Sequence, residues 1–197
     1  MVTDEELKCK IKEIWAKSED WIETPTSEEG ICLVKFPIKP ATQLFIGLKI
    51  KKSQNSIKGF FLNSSKELNS IRNLLNSQEL EYFINQIWKD DQVRKRISVL
   101  NEWDTLDSDI PGIFYTKMPL KGKEFGFPAI ALNPTDEFGK KLKRKNLYLK
   151  NSEDLKIYRR IFNNVKIDRL MKIIEDVNSE LSFEFRVAQS KIIKKFR

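Results

Sequence analysis

Lysines and aromatic rings share the strand-like stretches of this chain, and together they can grip a polyanion that carries flat bases. Residues 31–38 (ICLVKFPI), 43–52 (QLFIGLKIKK) and 57–62 (IKGFFL) are rich in β-branched and aromatic residues and read as strands. Side chains alternate across a strand. Cys32, Val34, Phe36 and Ile38 are therefore expected on a core face, with Leu44, Ile46, Leu48, Ile50, Phe60 and Leu62. Lys35, Phe45, Lys49, Lys51 and Phe61 are expected to point away. Ammonium groups track phosphates, and bases stack on rings at about 1–3 kcal/mol each. The chemistry implied is binding of single-stranded nucleic acid with little sequence preference. A second face of a sheet that carries rings also suits burial by a partner. The competing expectation is therefore a protein-interaction or homodimerisation module.

The same set occurs twice. Trp21, Gly30, Ile31, Lys35, Pro37, Lys39 and Phe45 recur 82 residues on as Trp103, Gly112, Ile113, Lys117, Pro119, Lys121 and Phe127. That is seven identities in twenty-five aligned positions, where chance gives about one or two. A second block is offset by 87: KGFFLNSSKEL (58–68) becomes KNLYLKNSEDL (145–155). The chain reads as a tandem duplication. Strands are expected again at 113–120, 125–132 and 144–149, with Phe114, Thr116, Met118 and Leu120 inward and Tyr115, Lys117, Phe127 and Tyr148 outward. Five extra residues lengthen a basic loop within 133–144 of the second copy.

Helices are expected where capping signals precede apolar residues at helical spacing. Thr3 with Glu6 opens the first, Ser64 with Glu67 the second, and Asn151 with Asp154 its repeat. Leu68, Ile71, Leu74 and Leu75 match Leu155, Tyr158, Ile161 and Phe162; Leu80, Phe83, Ile84 and Ile87 match Ile167, Leu170, Met171 and Ile174. A helical link at 89–100 stands in for the opening helix. The expected fold is α+β: two tandem repeats, each a small antiparallel sheet backed by helices, packed as a pseudo-dimer. Residues 1–88 form the first repeat, 89–180 the second, and 181–197 a basic tail able to form a helix.

Catalysis finds little support. The chain contains no histidine and two cysteines, Cys9 and Cys32, which removes His-based triads and most zinc sites. Glycine-rich phosphate loops are absent. Glu102, Asp104, Asp107 and Asp109 could hold magnesium for a nuclease, the third expectation; a solvated loop is the plainer account. No catalytic residue, resident metal, cofactor or small-molecule substrate is expected.

Lys and Arg outnumber Asp and Glu by 36 to 28, a net charge of +8, which favours polyanionic partners. The basic residues cluster at Lys140, Lys141, Lys143, Arg144, Lys145 and Lys150, and in the tail. The opening MVTDEELK is not a secretory signal, and no apolar run has membrane-spanning length. The thiols suit a reducing compartment. Cytoplasmic residence is expected, at the nucleoid if DNA is bound. Assembly with further copies of the chain is left open.

LVKF (33–36), LFIGLKIKK (44–52) and KGFFLNSSKELNSIRNLL (58–75), with KNLYLKNSEDL (145–155), resemble the single-strand-binding fold of the transcriptional positive cofactor four family, which plant Whirly proteins carry twice per chain. The resemblance implies curved antiparallel sheets backed by helices and a single strand, DNA ahead of RNA, held along them. It adds Lys58 and Lys145 to Lys35, Lys49, Lys51 and Lys117 as nucleic-acid contacts. The family has four strands per unit where three are legible here, and Asn146 replaces the glycine of the KG motif.

Overall fold

The computed structural model describes residues 3–195 except 39–42, 54–55, 57, 120–125, 136–140 and 142–144; described side chains also exclude 38, 43 and 183–195. Most of the lengthened basic loop, and the tail residues Ile192, Ile193 and Phe196, lie outside them.

The chain is α+β, with two four-stranded antiparallel sheets. The first part runs α1 (Asp4–Ala16), β1 (Ile22–Pro25), β2 (Ile31–Ile38), β3 (Gln43–Ile50), β4 (Phe60–Leu62), α2 (Ser65–Asn76) and α3 (Gln78–Lys89). The second runs α4 (Asp91–Ser98), β5 (Thr105–Asp107), β6 (Ile113–Met118), β7 (Phe127–Leu132), β8 (Leu147–Leu149), α5 (Ser152–Phe162) and α6 (Val165–Lys195). The capping box acts as expected at α1, where Thr3 and Glu6 bond reciprocally; at α5 Asn151 caps the helix by accepting from the Asp154 N–H, while the Asp154 carboxylate accepts from the Lys150 N–H. The tail continues as helix: α6 reaches Lys195.

Each sheet has one strand more than the sequence pattern shows. β1 and β5 are edge strands of four and three residues. Pro25 and the polar Glu23 and Thr24 mask β1; an edge strand tolerates both because only one side of its backbone is paired.

The duplication extends to individual hydrogen bonds. In the β1–β2 turn the Thr26 N–H and hydroxyl donate to the Ile31 carbonyl at 3.1 and 2.8 Å, and the Lys51 N–H to the Gly30 carbonyl at 2.8 Å. In the β5–β6 turn the Ser108 N–H and hydroxyl donate to the Ile113 carbonyl at 3.4 and 2.8 Å, and the Asn133 N–H to the Gly112 carbonyl at 3.0 Å. Gly30 and Gly112 hold the turns at φ 76° and 89°, a region that L side chains avoid.

The compact units do not coincide with the sequence copies. One unit comprises Met1–Ser65 and Asn164–Arg197, the other Lys66–Asn163. In the first, α6 packs on β3 and on α1. In the second, α3 packs on β7, α4 on β6 and β7, and α5 on β8. The long helix over each sheet therefore comes from the other copy in sequence. In the first unit, the Asn178 side chain on α6 completes the β3 edge beyond the end of β4: its Nδ2 donates to the Ile46 carbonyl at 2.7 Å and its Oδ1 accepts from the Ile46 N–H at 3.1 Å.

Register assigns the faces. Lys35 pairs with Ile46, Leu33 with Leu48 and Ile31 with Ile50. Antiparallel partners share a face, so Ile31, Leu33 and Lys35 lie with the Ile46, Leu48 and Ile50 row. Cys32, Val34 and Phe36 lie opposite, beside Lys49, Gly47 and Phe45. The expected parity of β2 is thus reversed, and β6 is reversed alike: Ile113, Tyr115 and Lys117 share the face of Leu132 and Ile130. β3 and β4 follow expectation.

Candidate nucleic-acid interface

Lys35 and Lys117 do not face outward. Lys35 is 1% exposed, and its ammonium donates to the carbonyls of Trp15 at 2.7 Å and Lys17 at 2.5 Å, where α1 ends. Lys117, half-buried, does the same to the Ser98 and Leu100 carbonyls at the end of α4, at 2.9 and 3.0 Å. The last carbonyls of a helix lack partners and carry the negative end of its dipole, so a cation there is stabilising. The apolar stem of lysine lies along the covered face while its head is satisfied. Tyr115 is likewise buried, its ring 5.8 Å from Phe83 of α3. These three are removed from the expected contact set.

Lys49 and Lys51 are on the expected face but are 6% and 7% exposed. Both reach Glu23 of β1, at 2.5 and 2.9 Å, one to each carboxylate oxygen. Burial pushes the Glu23 carboxyl up, but the hydrogen bonds and charges of Lys49 and Lys51 outweigh it and hold the group below its ordinary value. Cys32 sits beside this triad, and burial raises its thiol. Gly59 makes room for it: a Cβ there would stand 2.7 Å from Lys49 Cγ. At the matching positions the second copy has Thr105, Ala131, Asn133 and Asn146. The lysine–glycine pair has become an alanine–asparagine pair, so the vacated space is filled by Asn146, whose Oδ1 accepts from Asn133 at 3.1 Å and whose Nδ2 donates to the Tyr148 hydroxyl at 3.3 Å. This accounts for the departure from the KG motif.

Phe45, Phe61, Phe127 and Tyr148 lie where the alternation puts them, on the faces away from the helices, and all four are half-buried. Each sheet adds a tryptophan to that face. Trp21, 53% exposed, meets Phe61 at 5.6 Å and 75° and Phe36 at 6.4 Å. Trp103, 42% exposed, meets Tyr148 at 5.2 Å and 63°. Such near-perpendicular contacts leave the two rings unstacked on each other. Lys58 and Lys145 are exposed just before β4 and β8. In the second unit Lys141 donates to the Thr105 hydroxyl at 3.2 Å and lies 5.2 Å from the Phe114 ring centroid, while Lys150 lies 5.0 Å from that of Phe127.

The sequence pattern marks both tryptophans as repeat residues, but without β1 and β5 it gives them no face. Glu23 is missed for the same reason. Glu102, Asp104, Asp107 and Asp109 belong to no group of three His, Cys, Asp or Glu side chains able to hold a metal ion among the described residues. Both cysteines are free thiols, Cys9 exposed and Cys32 buried. Among the described residues no helix is long and apolar enough to cross a membrane. No family model, curated protein or solved structure matches the chain.

Proposed function

We propose that this protein binds single-stranded nucleic acid, without catalysis, on the sheet faces that display Trp21 and Trp103. The observation that carries the reading is the repeated pairing of an exposed tryptophan with a ring of the last strand, Trp21 with Phe61 and Trp103 with Tyr148. Solvent-accessible rings accept bases of any identity. The net charge of +8 favours the phosphate backbone.

The test is a titration of labelled oligo-dT, oligo-U and a duplex of equal length against the whole protein, followed by fluorescence anisotropy. Single strands should bind at low salt, the duplex more weakly, and affinity should fall with salt by about 0.7 log units per log unit of salt for each phosphate neutralised. Absence of binding to both single strands at low salt would overturn the proposal and favour the interaction-module reading.

A further inference from the structure

We infer that the two faces have diverged and that the face of the second sheet, around Trp103, Phe127 and Tyr148, holds the strand. This rests on the proposed function and assigns its site.

The cations decide the matter. On the first sheet, Lys49 and Lys51 are buried against the two oxygens of Glu23, and Lys35 is consumed by the end of α1. A phosphate would have to compete with a carboxylate that already holds both ammoniums. On the second sheet all three charges of that triad are gone, replaced by Thr105, Ala131 and Asn133. Loss of the whole triad leaves no stray buried charge, which would be costly.

Cations return to this face from outside it. Lys141, in the segment lengthened by five residues, reaches Thr105, the position of Glu23. Lys150, just past β8, reaches Phe127. Both lysines are exposed, and among the described residues neither has a carboxylate partner. Their ammoniums lie over the rings of Phe114 and Phe127, a contact that leaves the charge open to a phosphate on the solvent side. Solvent-exposed cations on the face that carries Trp103, Phe127 and Tyr148 supply both halves of a single-strand site: charge for the backbone and rings for the bases. The first face keeps its rings but holds Lys49 and Lys51 against its own carboxylate.

The experiment compares four variants of the full chain by oligo-dT anisotropy across a salt series, with thermal melting as a check on folding. Lys141→Gln with Lys150→Gln should weaken binding about tenfold at low salt and flatten the salt slope by about 1.4, two phosphates at about 0.7 each. Trp103→Ala should weaken it about tenfold with the slope kept, since a ring holds no counterion. Trp21→Ala should weaken binding by about threefold, clearly less than Trp103→Ala, and Glu23→Gln should stay within about twofold. Equal losses from Trp21→Ala and Trp103→Ala, or an unchanged slope in the double lysine variant, would overturn the assignment while leaving single-strand binding standing. Failure of the unmodified protein to bind would overturn both.

Discussion

Arg72 and Arg159 each close the other's helix. The Arg72 Nε donates to the Phe162 carbonyl at the end of α5 at 2.8 Å, and the Arg159 Nε donates to the Leu75 carbonyl at the end of α2 at 2.6 Å. The four residues are related by one offset of 87. Asn76 and Asn163, at the same offset, exchange both side-chain amide bonds at 3.0 Å. Residue i meets j while the copy of j meets the copy of i, which is the signature of a twofold-related contact. Within this unit, the matching helices of a duplicated chain meet as two subunits of a symmetric dimer would.

These arginines should be worth measurable stability. Each guanidinium bonds the negative end of a helix, a charge-assisted contact. Arg72→Ala is expected to cost about 1–2 kcal/mol in urea denaturation. Arg159→Ala, whose guanidinium also bonds Glu81 and the Ser77 carbonyl, is expected to cost at least about 1–2 kcal/mol as well. Unchanged urea midpoints in both variants would show that the reciprocal pair is incidental.

Lys35→Met tests the reassignment of Lys35 from ligand contact to helix cap. Methionine keeps a long apolar stem but leaves the Trp15 and Lys17 carbonyls without their donor. The expected loss is about 2 kcal/mol, against about 1 kcal/mol for Lys117→Met at its more accessible site. Oligo-dT affinity should be unchanged in both once folding is checked. A large affinity loss with unaltered melting would restore Lys35 to the binding set.

Glu23 ties the first sheet's stability to acidity. Its carboxyl is held below its ordinary value in the folded chain, so the charged form favours folding. That contribution is present in full above the unfolded value, about 4.3 for glutamate, and fades as pH falls through the lower folded value. Glu23→Gln should therefore destabilise the protein near neutral pH, by about 2 kcal/mol, less than the ~3–5 kcal/mol of a fully buried pair because Glu23 is partly exposed. The gap to the unmodified protein should close in acid. A gap that stays constant from pH 7 to pH 3 would refute the triad's role.

The alternation of residues reveals the strands but not which row faces the helices. In 31–38, apolar residues occupy both rows, so the single lysine decides the reading, and it points to solvent. Only the register of Lys35 against Ile46 shows it turned toward the helices, where carbonyls 18 and 20 residues away in sequence receive it. No local pattern encodes such a distant acceptor. β1 is lost for a similar reason: Ile22 and Thr24 favour a strand but Glu23 and Pro25 do not, and the four become one by pairing with β2. The rings of β3, β4, β7 and β8 were legible because their neighbours alternate cleanly. The duplication was legible because its markers, Gly30 with Gly112 and Lys35 with Lys117, are held by backbone conformation and capping.

The exchange of covering helices sets the timetable on which this protein can be made. Strands β1 to β4 leave the ribosome early, yet α6 begins roughly a hundred residues after β4 ends. At about 5–20 residues per second, the first sheet waits roughly 5–20 s with its apolar side covered by α1 alone. The second sheet has no such delay, since α3 and α4 precede it in the chain. Completion therefore runs from the middle of the polypeptide outward. Chains truncated after Asn163 should yield to protease within residues 22–62 and resist it around the second sheet.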